Sequence, residues 1–145
     1  MTIEWKFPHN GFGQVRGVSD AGIETFTGTA QIGIGLGLEE YEIYSRFCDK
    51  EKFQPILNSM MVFPALVYVF EELKQENGIE NYAGTNWYIS LSKAYEKRGV
   101  DLENELLYSD KTSVQLAQEA MELPLNAALR KFADLFESGE EEEDV

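Results

Sequence analysis

The run from Gly28 to Glu40 reads GTAQIGIGLGLEE, and its three alternate glycines, Gly33, Gly35 and Gly37, decide how the N-terminal part of the chain folds. Extended, the run places Ile32, Ile34, Leu36 and Leu38 on one face and leaves the other bare, so that a neighbouring group can approach closely. Curled, it would be a glycine loop around a phosphate. The spacing is G-x-G-x-G, not the G-x-G-x-x-G of a dinucleotide site, and no Lys-Ser/Thr pair follows as in a P-loop. Glu39, Glu40 and Glu42 come directly after it, with no Lys or Arg close in sequence, so a triphosphate would meet repulsion there. The run is expected to be a strand with packing glycines.

Upstream, TIEWKF alternates Ile3, Trp5 and Phe7 with Thr2, Glu4 and Lys6, the period of a half-buried strand. Pro8 and HNGFG break it, GQVRGV offers a second short strand, and a turn falls at Ser19 to Gly22. From Glu39 onward the pattern is helical. Pro55 suits the first turn of a helix running to about Glu76, apolar all round in its middle, kinked near Pro64 and ended by Asn77 and Gly78. Thr85 is a cap for a helix that puts Trp87, Leu91 and Tyr95 inward, carries Lys97 and Arg98 in its last turn and stops at Gly99. Thr112 and Gln115 form a capping-box signature for SVQLAQEAME. Pro124 either kinks that helix or starts another, PLNAALRKFADLFE, with Leu125, Ala128, Leu129, Phe132 and Phe136 expected inward. The expected fold is α+β: a small N-terminal β portion, a hairpin or short antiparallel sheet, packed on a bundle of four to five helices. Residues 1–138 are expected to form a single domain and 139–145 a disordered acidic tail.

Charge is the strongest global feature. Twenty-six carboxylates against 12 Lys and Arg give a formal net charge of −14. The tail holds six of those carboxylates, Glu137, Glu140 to Glu143 and Asp144, and the body without them still stands at −8. Such a surface repels nucleic acid and attracts basic protein surfaces. The longest apolar run, MMVFPALVYVF from Met60 to Phe70, has 11 residues with Pro64 inside it, too few to span a bilayer. The N-terminus has no basic start followed by an apolar stretch, and the one cysteine, Cys48, suits a reducing compartment. A cytoplasmic protein with no membrane partner is expected.

The reactive residues are few. His9 is the only histidine, so no two-histidine metal site can be built, and its setting in PHNG reads as a turn. Cys48 lies between acidic and basic neighbours and reads as a half-buried structural thiol. Tyr82, Trp87, Tyr88 and Tyr95 fall at helical spacing and read as core. No catalytic set, metal or cofactor is expected. Carboxylates with tyrosines are a different matter, because tyrosine gives contact area at low entropic cost. Glu39, Glu40, Tyr41, Glu42 and Tyr44 are one candidate partner-binding group. Glu71, Glu72 and Glu76 are another, since they close a helix against its own macrodipole and could persist for a cationic partner.

One resemblance bears on the glycine run. GIGLGL, Gly33 to Leu38, resembles the second glycine box of the histidine-kinase-like ATPases, in which such a run closes the nucleotide lid and opens a helix. FPHNGFGQVRGVSDAGIETFTG, Phe7 to Gly28, is similar to the opening segment of some bacterial members. The resemblance implies an anion site at Gly33, Gly35 and Gly37. The family's Glu-x-x-x-Asn helix for water and magnesium is missing, and Asp20-Ala-Gly22-Ile-Glu24 lacks the second glycine of its adenine-reading box.

Together these features give the expected function of a small, non-enzymatic, acidic binding protein. It would occupy the basic, nucleic-acid-binding surface of a partner such as a host defence nuclease, as an anti-defence inhibitor (an anti-CRISPR or DNA mimic) from a phage or mobile element. Direct nucleic-acid binding is not expected, and a homo-oligomer is open. The alternatives are a degenerate histidine-kinase-like ATPase relative or nucleotide-responsive regulatory module, and a helical subunit of a larger assembly.

Overall fold

The computed structural model describes residues 2–4, 13–18, 24–27 and 31–143. The turns expected around His9 and at Ser19 to Gly22, and the last two residues of the tail, lie outside them. The fold is α+β, with four strands followed by seven helices. The strands are β1 (Thr2–Glu4), β2 (Gly13–Val18), β3 (Glu24–Phe26) and β4 (Ile32–Gly37), in the spatial order β1-β2-β4-β3. β1 pairs antiparallel with β2, placing Ile3 opposite Val15. β4 then inserts between β2 and β3, parallel to the first and antiparallel to the second. The sheet is therefore mixed rather than the antiparallel one expected. Consecutive strands suggest hairpins, but a strand this apolar on one face and this bare on the other is suited to a central position.

All six residues of β4 are buried. Val15, Ile32, Ile34 and Leu36 form the sheet's contribution to the core. On the opposite face the glycines leave room for a long side chain. A Cβ at Gly33 would lie 2.8 Å from a guanidinium nitrogen of Arg16, so Arg16 lies across the bare stripe.

The helices are α1 (Leu38–Phe47), α2 (Glu51–Lys74), α3 (Gly78–Tyr82), α4 (Asn86–Lys97), α5 (Leu102–Tyr108), α6 (Ser113–Ala120) and α7 (Pro124–Glu143). Two more helices form than the four to five expected, because α3 and α5 are too short for a periodic pattern to show. In α2 the kink expected at Pro64 is a widened turn just before it, over Asn58–Val62, where Phe63 N–H reaches back to the Asn58 carbonyl. Proline offers no N–H, and its ring collides with the carbonyl four residues back, so a wider turn relieves the helix there. By length and composition α2 could cross a membrane. Here Leu66, Val69, Phe70 and Leu73 bury it among Trp87, Tyr95 and Leu116 in the one core shared by sheet and helices.

The local signals mostly hold. The Thr85 side chain accepts from Tyr88 N–H, the Thr112–Gln115 capping box is complete, and Gly99 takes a φ of 74° at the end of α4. Asn77 and Gly78, expected to end α2, instead start α3: α2 stops at Lys74, Asn77 is the left-handed N-cap of α3, and Gly78 opens α3 so tightly packed that an added Cβ would lie 2.4 Å from the Glu72 carbonyl oxygen.

The expectation for α7 needs correction. Pro124 does start it, and the helix spans Pro124–Glu143. Its N-terminal half packs on the first half of α2, but through Pro124, Ala128, Lys131 and Leu135. Leu125, Leu129, Phe132 and Phe136, expected inward, are all exposed. The core is already closed by α2, α4 and α6, so α7 docks on its edge and one side of it goes uncovered.

Candidate functional site

The candidate binding face is the outer surface of α1. Gly37 ends β4 and is also the N-cap of α1, so strand passes into helix with no loop. α1 then lies against β2, where Gly17 allows the close approach: an added Cβ there would meet Tyr41 Cγ at 3.2 Å and Leu38 Cδ2 at 3.3 Å. That contact fixes which residues α1 shows to solvent. Glu39, Glu40 and Glu42 are exposed, beside Ile43 at 48% and Leu38 at 49% exposure. Two partly exposed aliphatic side chains interleaved with three carboxylates give this face both apolar and charged contact groups.

The two tyrosines do not belong to that face. Tyr41 is buried over the sheet, and Tyr44 is half-buried against the core. Burial, with smaller contributions from Cys48 and Tyr41, pushes the Tyr44 hydroxyl up to about 12. Their alternation with carboxylates marks an amphipathic helix, and helical spacing puts Tyr41 and Tyr44 on one side of it.

The second acidic group is drawn into the fold. Glu71 accepts a hydrogen bond from the Ser113 hydroxyl, whose residue is buried at the start of α6. Glu72 accepts from the Tyr82 hydroxyl at 3.2 Å, and Tyr82 in turn accepts from Thr27 Oγ1 at 3.3 Å. The Trp87 indole N–H donates to the Thr27 carbonyl at 3.2 Å, so a chain of polar contacts ties α2 to the sheet. A hydrogen bond to Glu72, aided by burial and the nearby charge, also raises the Tyr68 hydroxyl above its ordinary range. Carboxylates that the macrodipole disfavours are thus held by hydroxyl donors within the chain. Glu71 and Glu76 remain exposed to solvent, and Glu72 is half-buried.

Among the described residues, the ion pairs are those of Lys111 with Glu105 and with Glu119, each at 2.9 Å. The α1 carboxylates take part in neither. Among the described residues no group of three His, Cys, Asp or Glu side chains comes close enough to hold a metal ion.

Gly33, Gly35 and Gly37 occupy β4 and its junction with α1. A phosphate cradle needs free backbone N–H groups, and β4 is laddered on both edges. Beyond it, Glu39 and Glu40 fill the first turn of α1 with the charge an anion would bring. Most of the Phe7 to Gly28 segment lies outside the described residues. Comparison with protein-family models, with curated proteins and with solved structures found no match.

Proposed function

We propose that the chain is a small acidic binding protein, without catalytic activity of its own, that occupies a basic, nucleic-acid-binding surface on a partner protein in the cytoplasm. The observation that carries this is the outer face of α1, where Glu39, Glu40 and Glu42 are exposed around Leu38 and Ile43 and pair with no cation among the described residues. A rigid helix holds these carboxylates at fixed spacing, as a nucleic-acid strand holds its phosphates, and each contact with a desolvated Arg or Lys is charge-assisted. The two aliphatic side chains supply what phosphate alone lacks, apolar contact that slows dissociation. The net charge of −14 speeds encounter with a basic surface and keeps the protein off nucleic acid itself. An inhibitor of a nucleic-acid enzyme, such as a defence nuclease met by a phage or mobile element, is the role this chemistry fits best.

The test is capture from nuclease-treated bacterial lysate on immobilised protein, with mass spectrometry of what is retained at low and at high salt. A nucleic-acid-binding protein retained at low salt and released at high salt supports the proposal. Capture of nothing, or of proteins that salt does not release, contradicts it.

A further inference from the structure

The uncovered side of α7 carries Leu125, Leu129, Phe132 and Phe136, spaced four, three and four residues apart. This is the spacing of a coiled-coil seam. Leu129 is 70% exposed, Phe132 61% and Phe136 60%, and the two phenylalanine rings stack with centroids 6.4 Å apart. Beside them Met60, 61% exposed, and Ile56 extend the surface onto α2 through a nearly wholly apolar groove. With aromatic side chains burying about 150–250 Å² when covered, the seam and Met60 expose roughly 550 Å² of apolar surface. That is the upper end of what a monomer ordinarily leaves open.

We propose that this seam is the contact between two copies of the chain, joined antiparallel along α7. The spacing is symmetric about its centre, so a two-fold axis between Arg130 and Lys131 brings the two seams into register. Leu125 then meets Phe136 of the second copy and Leu129 meets Phe132. Every layer pairs one leucine with one phenylalanine, so the seam is complementary to itself, as an isologous contact requires. A parallel pair would stack Phe on Phe and Leu on Leu, and would bring the acidic ends, Glu137 and Glu140 to Glu143, side by side. The antiparallel pair sets those ends far apart.

No charge is desolvated by this contact. Arg130 and Lys131 turn to the other side of α7, where they line a separate cleft with Lys50, Lys52, Glu51 and Asp134. The flanking Ala128 and Ala133 let the helices approach closely. The buried total of about 1,100 Å² just clears the ~1,000 Å² of a specific interface, so the dimer is a modest one. Two copies at −14 each repel, and salt therefore strengthens the dimer. This is opposite in sign to the salt release expected of the α1 partner, so failure of one proposal is distinguishable from failure of the other.

Sedimentation equilibrium on the whole chain tests this, from about 1 to 100 µM and at ~0.05 and ~0.5 M salt. The expected result is a monomer of 16.5 kDa passing to twice that mass as concentration and salt rise. Leu129→Glu and Phe132→Glu, exposed positions whose helicity is checked by circular dichroism, are expected to leave only monomer. In a Cys48→Ser background, mixing Leu129→Cys protein with Phe132→Cys protein is expected to give the mixed disulfide in excess over either self-disulfide. Monomer under all conditions would overturn the proposal and assign the seam to an apolar helix of another protein. A dimer indifferent to both glutamates, or self-disulfides in excess, would overturn it as well.

Discussion

Trp87 donates its indole N–H to the carbonyl of Thr27, 60 positions earlier in the chain, at 3.2 Å. Trp87 itself is fully buried. The contact joins the sheet to the helices, because Thr27 directly follows β3 and Trp87 opens α4. It also anchors the run of hydroxyls from Thr27 through Tyr82 to Glu72. Trp87→Phe leaves the Thr27 carbonyl without that donor and opens a cavity, a cost of about 2–4 kcal/mol in urea unfolding. Tyr82→Phe, at a half-buried site, is expected to cost only about 1 kcal/mol.

The glycines divide by what stands over them. At Gly78 an added Cβ would meet main-chain oxygen at 2.4 Å, so Gly78→Ala is expected to cost at least about 2 kcal/mol. At Gly33 the obstacle is the far end of Arg16, a flexible side chain that can move, and Gly33→Ala should cost about 1 kcal/mol or less. Nothing stands within 4 Å of Gly84, where alanine is expected to be neutral or to stabilise by a few tenths of a kcal/mol. Melting midpoints of the three variants check the order.

Phe70 is fully buried in α2 and meets Tyr95 edge-on at 6.4 Å. Phe70→Ala should cost about 3–5 kcal/mol in urea. Near-wild-type stability would contradict the central placing of α2.

Tyr95 gives a dependence on pH. Its hydroxyl donates to the Leu116 carbonyl at 3.0 Å, and burial pushes it up to about 12, against a partial opposing pull from Arg98. A tyrosine raised in the folded state stays neutral there while the unfolded chain ionises near 10. Its contribution is therefore whole below about pH 10 and is lost as pH climbs toward 12. Tyr44, raised in the same way, adds to the same alkaline loss. Stability is expected to fall between these values, and Tyr95→Phe is expected to fall less steeply than wild type while starting lower. Equal slopes would contradict this.

Much of the fold was legible because it was written in local chemistry. Thr85, Thr112 with Gln115, and Gly99 mark helix ends through their own hydrogen bonds and dihedral angles, and each is found where it was expected, whereas Asn77, expected to end α2, caps the start of α3. The glycine run read correctly as strand because its apolar residues alternate with bare positions. The parallel pairing of β2 and β4 was not legible, since residues far apart in sequence decide which strand lies beside which. The α1 carboxylates were legible as exposed, whereas Tyr41 could be assigned to the core only once Gly17 lay beneath it. The hydrogen bonds that Glu71 and Glu72 accept were not legible, because their donors, Ser113 and Tyr82, come from other helices. For α7 the periodicity gave the right stripe but not its direction: an apolar face tells that something covers it, not whether the cover is the same chain.

The most direct test sets the wild type beside the triple variant Glu39→Lys, Glu40→Lys, Glu42→Lys in the same lysate capture, with duplex DNA as competitor. The α1 face predicts that the wild type retains a nucleic-acid-binding protein that DNA displaces, and that the triple variant, still folded though less stable for its two first-turn lysines, retains none. Equal retention by both, undisturbed by DNA, would show that binding does not pass through the α1 carboxylates.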